Sequence, residues 1–205
     1  MIGSEDSELR VNDDSVFDRK LQWFAILEGA HPNYDTRALI YRHISVPEWV
    51  PVYQAPEYSA LAKVSPILLK LADPQDWHRT WTSLFPRLSG SYLASKKNLE
   101  CVAEHLQTMV SVGFEKGESI FRFHDSWIMS SLYPTLSESD RDRVHGPIEK
   151  WLWPRGNRFE ESEDRSSIST EGYPLEAGWL TLDREKQEAI YAGIVAKRTW
   201  KETQK

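Results

Sequence analysis

The stretch Ile120-Phe121-Arg122-Phe123-His124-Asp125-Ser126-Trp127, running on to Leu132-Tyr133-Pro134-Thr135-Leu136, constrains the fold of this chain more than any other. Ile120, Phe121 and Phe123 are large, apolar and strand-favouring, and they do not alternate with a polar face. A strand covered on both sides by helices has that composition. The run therefore reads as a short buried strand at the centre of a sheet, ending on Asp125 and passing at once into a helix. Asp125 suits the N-cap, where its carboxylate accepts from backbone N–H groups two or three residues on. Arg122 is the anomaly. Inside such a strand its guanidinium needs a carboxylate or several carbonyls, because an unpaired buried charge costs several kcal/mol.

Strand and helix signals alternate along the rest of the chain. Residues 23–27 form a continuous apolar run closed by Gly29 and Pro32, expected as the first buried strand. Residues 35–43 suit a short helix, and residues 49–53 a strand that Pro51 pushes to an edge. A further strand is expected over 64–71, and Asp73-Pro74 is a helix-start signal. Another strand falls at 88–94. From Ser95 a helix carries Leu99, Val102, Ala103, Leu106, Met109 and Val110 at a 3.6-residue period, with Gly113 ending it. Ser137-Glu138-Ser139-Asp140 resembles a capping box, with Val144, Ile148, Trp151 and Leu152 on the face of the helix it opens. The pattern points to an α/β domain, with α+β as the variant, built on a mixed β-sheet flanked by helices over residues 21–154. Residues 1–20 are acidic and read as a flexible tail, and 155–172 as a polar linker or loop. The main domain looks complete by Trp153, leaving 173–205 as a small, mainly helical C-terminal lobe.

Composition narrows the function. A net charge of −6 and a pI near 5.6 lack the basic stripe that phosphates need, so nucleic acid is not an expected partner. One cysteine, Cys101, rules out a disulfide framework and a Cys-rich zinc site. No apolar run approaches the roughly 20 residues of a membrane span, and Met1-Ile2-Gly3-Ser4-Glu5-Asp6 is not a signal peptide. The expectation is a cytoplasmic protein without membrane insertion. His124-Asp125 with His105 and Asp140 superficially match the His/His-Asp/Asp set of metal phosphohydrolases. A strand-end His and a capping Asp account for the dipeptide, and a metal site needs convergent ligands. There is no Gly-rich phosphate loop and no Gly-x-Ser-x-Gly elbow. No catalytic residue, metal or cofactor is expected. Of the nine tryptophans, Trp23, Trp77, Trp81 and Trp127 lie on apolar stripes or runs and are expected in the core. Trp153, Phe159, Tyr173, Trp179 and Trp200 lie at the domain's end or in the polar C-terminal region, and are the candidate partner-binding aromatics.

The organising stretch also resembles a known family. Phe121-Arg122-Phe123 followed by Asp125, then a helix closing on Leu132-x-Pro134-Thr135-Leu136, is similar to the effector adaptor (chaperone) proteins of bacterial type VI secretion. These are filed as a domain of unknown function and usually encoded between a VgrG spike gene and a toxin gene. Trp23-Phe24-Ala25-Ile26-Leu27-Glu28-Gly29-Ala30 and His145-Gly146-Pro147-Ile148-Glu149-Lys150-Trp151 agree in order. His124 stands where an aromatic is commoner, and Ser126 where Pro is commoner. The resemblance implies that Phe121, Arg122, Phe123, Asp125 and Pro134 are a structural signature. It also implies a non-enzymatic adaptor that binds a toxin effector and loads it onto the VgrG spike. Two alternatives stand beside it. A small, acidic, Trp-rich chain also suits an immunity-type protein that neutralises a toxin, and His124 with Asp125 would serve a metal-dependent hydrolase.

Overall fold

The computed structural model describes residues 17–31, 34–84, 90–156, 158–162 and 176–203, with side chains of 81–84 left aside. Six strands form one sheet: β1 (Gln22–Leu27), β2 (Trp49–Pro51), β3 (Ile67–Leu71), β4 (Gly90–Ser95), β7 (Lys150–Arg155) and β8 (Arg158–Glu161). Their order is β2-β3-β1-β4-β7-β8, and every pairing is antiparallel. A separate hairpin joins β5 (Ser111–Phe114) to β6 (Gly117–Ile120). The helices are α1 (Thr36–His43), α2 (Pro74–Leu84), α3 (Leu99–Thr108), α4 (Ser126–Leu132), α5 (Glu138–His145) and α6 (Arg184–Thr203). The architecture is α+β, a sheet flanked by helices with a helix at the C-terminus, as expected. Its pairing is narrower than the mixed sheet read from the sequence.

The apolar runs lack polar alternation because both faces of the sheet are covered. Phe24, Ile26, Leu68, Leu93, Trp151 and Trp153 point into a core shared with α3, α4 and α5. Trp23, Ala25, Leu27, Ile67, Leu69, Tyr92 and Leu152 point the other way, against Ile40 of α1 and Trp77 of α2. Pro51 does sit in an edge strand, where its missing N–H is harmless. The helix starts follow their caps: Asp35, Asn98, Asp125 and Ser137 each accept from a backbone N–H of the helix they precede.

The central-strand expectation for 120–123 is overturned. Ile120 ends β6 of the small hairpin, and after the Phe121 N–H bond to the Val110 carbonyl the chain leaves strand geometry. The place beside β4 belongs to β7, whose Trp151 and Leu152 had the look of a helix face. Gly146 explains the switch. It ends α5 at φ +49°, a conformation that Pro147 then prevents from continuing as helix. Gly113, expected to end a helix, lies inside β5, and α3 stops earlier at Thr108.

The chain beyond Trp153 is likewise part of the body. Of the expected polar linker, residues 158–161 form edge strand β8. Leu180 and Leu182 are buried in the main core, and Thr181 bridges to Gly113. The helix α6 packs along α4, so closely that a Cβ on Gly193 would lie 2.3 Å from the Trp127 carbonyl oxygen. At the other end, Phe17 is buried edge-on against Trp23 at 4.9 Å, so the expected tail is anchored before residue 20.

Candidate interaction site at the signature loop

The signature segment works as a tie between three layers rather than as a strand. Phe121 and Phe123 both enter the core, their rings 6.2 Å apart, so the residue between them must face outward. Arg122 is therefore half-exposed and forms an ion pair with Glu28, just past the end of β1. Burial opposes the guanidinium's charge, but the Glu28 carboxylate overrides it and holds the group above its ordinary pKa. The Asp125 N–H donates to the Arg122 carbonyl at 3.0 Å, closing the turn that starts α4.

Asp125 is buried and serves twice. One carboxylate oxygen accepts from the Trp127 N–H at 3.1 Å, capping α4, and the other is paired with Lys197 of α6. Around it, Ser126 Oγ donates to the Pro154 carbonyl of β7 at 2.7 Å, and the Arg155 guanidinium lies 4.6 Å above the Trp127 ring. Trp200 of α6 covers the same indole at 5.9 Å. His124 is buried, with no hydrogen-bond partner for Nδ1 among the described residues. Desolvation first, then the nearby Arg122 charge, lower its pKa to about 4, so the ring is neutral at physiological pH. His31 is also lowered, first by burial; Glu28 raises it while Lys201 and Lys197 lower it. One end of the sheet thus gathers Glu28, His31, Arg122, Asp125, Lys197 and Lys201.

The residues singled out from the sequence are not brought together. Trp153 is a core residue at 2% exposure, packed on Tyr133, and Phe159 is buried on the opposite face of the sheet against Tyr92 and His78. Neither offers a surface to a partner, because alternation along β7 and β8 turns both inward. Tyr173 lies outside the described residues. Trp179 and Trp200 are partly exposed: Trp179 donates to Thr108 Oγ1 at 3.3 Å under the Arg143 guanidinium, and Trp200 lies on Trp127. Pro134 is exposed in a short 3-10 turn, and its carbonyl accepts from Arg141 at 2.9 Å. The hydrolase set does not assemble either. His105 is hydrogen-bonded to the Val144 carbonyl at 2.9 Å, and Asp125 is committed to Trp127 and Lys197. Among the described residues no three His, Cys, Asp or Glu converge as a metal site. Nor is any described helix long and apolar enough to cross a membrane.

Sequence reasoning missed Lys197, Trp127 as a stacking platform, and the Glu28–Arg122 pair. A signal for Lys197 was present: Ala189, Gly193 and Ala196 mark a small-residue stripe on α6, and Lys197 borders it. Helices that approach closely need such a stripe, so a charge beside it faces the neighbouring helix.

The family described as domain of unknown function (DUF4123) matches residues 23–143. The chain belongs to this family. The matched span runs from β1 into α5, so it includes the whole signature loop and both sides of the Glu28–Arg122 pair, while Lys197 and the rest of α6 lie beyond it. No curated protein and no solved structure matches the chain.

Proposed function

We propose that this protein is a type VI secretion adaptor, acting in the cytoplasm, that binds a toxin effector and presents it to the VgrG spike. The observation that carries the reading is the signature loop, which resembles that of the adaptors and lies within the span matched by the DUF4123 family. The geometry is consistent with a binding role. Arg122, Asp125 and Ser126 tie β1, α4, β7 and α6 together, and Arg122 presents a half-exposed guanidinium at the rim. Of the aromatics first considered, Trp200 keeps exposed surface at this end, on Trp127, and with Arg122 it forms the proposed effector contact, while Trp179 is partly exposed beside Thr108 and Arg143.

Co-expression with the toxin and the VgrG encoded beside it tests the proposal. An adaptor is recovered with both proteins in one assembly. Recovery with the toxin alone replaces the reading by an immunity-type role, and recovery with neither overturns it. Within a positive result, Arg122→Glu should weaken toxin capture at least about tenfold; because it sets a like charge beside Glu28 it also lowers the melting temperature, so capture is compared with that of Arg122→Ala well below both melts.

A further inference from the structure

The inner face of α6 is occupied by α4, but its outer face is not covered by any described residue. Along that face run Arg184, Glu188, Tyr191, Val195, Arg198 and Glu202, all exposed, at alternating steps of four and three residues. That spacing is the heptad seam along which two helices pack. Tyr191 and Val195, 68% and 42% exposed, lie one turn apart at the middle of this face, with charged residues on either side.

The order of charges selects the partner. Read in either direction from the level of Gly193, the seam pairs with its own reverse: Arg184 falls opposite Glu202, Glu188 opposite Arg198, and Tyr191 opposite Val195. A parallel, in-register pair would instead set Arg against Arg and Glu against Glu. Self-complementarity of this type is the requirement of a two-fold interface, in which each contact is made twice. The Arg184–Glu188 pair at 2.8 Å within the helix is exposed and can be shared across the dyad.

We propose that two copies of this chain associate through α6, their helices antiparallel across a dyad at the level of Gly193. The contact lies outside the family-matched span and on the side of α6 turned away from the signature loop. It is independent of the adaptor reading.

Sedimentation of the full chain across about 1–200 µM tests it. The apolar centre is short, so the expected behaviour is a reversible dimer with a dissociation constant on the order of 10 µM. Arg198→Glu places like charges at two dyad-related positions and should weaken the dimer at least about tenfold. The fourfold inversion Arg184→Glu, Glu188→Arg, Arg198→Glu, Glu202→Arg keeps every intrahelical and interhelical pair. It should self-associate as well as the wild type yet fail to mix with it. Circular dichroism separates loss of helix from loss of association, and if Arg198→Glu alone unfolds, the fourfold variant decides. A wild type that stays monomeric throughout overturns the proposal, even if α6 binds another protein. So does a dimer indifferent to Arg198→Glu, or an inverted chain that mixes freely with the wild type.

Discussion

The face of the sheet built on Phe24, Ile26, Leu68, Leu93, Trp151 and Trp153 lies under α3, α4, α5 and the hairpin, with α6 outside them again. The opposite face, built on Trp23, Ala25, Ile67, Leu69, Tyr92 and Leu152, has α1, α2 and Phe17. The thick side buries the Tyr133 hydroxyl 3.0 Å from His145 Nε2 and the Asp125–Lys197 ion pair, and sets Arg122 at its rim. The thin side carries a polar contact within the core, His78 Nδ1 to the Tyr92 hydroxyl at 2.7 Å, with burial pushing the Tyr92 phenol up. It also leaves a cleft of about 430 Å³ between the end of α1 and the start of α2, crossed by the Glu48–Lys70 pair at 3.0 Å. The lesson is that depth of cover, not the sheet itself, decides where this molecule tolerates change.

Removing the outer layer should unfold the thick side. Ending the chain after Arg155 deletes β8, the buried Leu180 and Leu182, and the helix that covers α4. The loss exceeds a typical domain stability of about 5–15 kcal/mol, and insoluble protein is the expected outcome. A soluble product with native circular dichroism would mean that the thick side stands without its third layer.

Acid should attack both sides at once. Burial lowers His78, His105 and His124 from 6.5 to about 4, with Arg122 a further cause at His124. The unfolded chain therefore takes up protons first. The stability tied to each ring is complete above pH 6.5 and drains away as pH falls toward 4, where the loss nears about 3 kcal/mol per ring. Urea unfolding between pH 7 and 4 would show a midpoint falling steadily over that window, and a flat midpoint would contradict neutral burial of all three.

A single substitution on each face sharpens the contrast. Trp151→Ala empties a fully buried site that three helices hold rigid, and should cost about 4–5 kcal/mol. Trp77→Ala opens onto the cleft, where water enters and the neighbours relax, and about 2–3 kcal/mol is expected. Equal costs by urea denaturation would show that the thin side is as rigid as the thick one.

The smallest effect is expected at Arg122. Its partner Glu28 is mostly buried but the guanidinium is half in water, so Arg122→Ala should cost about 1 kcal/mol. A loss of about 3 kcal/mol or more in thermal melts would mean that the pair is sealed from solvent.

The sheet's strands at β1, β3 and β4, the edge position of Pro51 and the capped starts of α1, α2 and α5 were legible because each depends on residues close in sequence. The role of 120–123 was not. A run of buried aromatics has the same composition whether it lies in a sheet or plugs the core beside it, and only the competing strand β7 decides between them. That strand in turn hides behind Trp151 and Leu152, which match a helical period if the backbone at Gly146 is not known to reverse. The signature loop was legible as residues but not as a junction, since Glu28 and Lys197 reach it from 94 and 72 positions away. Burial of Trp153 and Phe159 was hidden for a similar reason: the sequence that follows each is polar, and Tyr133, Tyr92 and His78, which pack on them, come from elsewhere.

The strand order has a consequence for synthesis of the chain. β1, the first of the described strands to be made, lies third in the sheet between β3 and β4, both of which follow it. It cannot pair with either until tens of residues more have left the ribosome, and β4 then waits for β7. An apolar strand with two open edges is thus exposed during every round of translation, a state that invites aggregation. The nascent protein is expected to depend on general chaperones until Trp151 has emerged, even though its proposed task is to escort another protein.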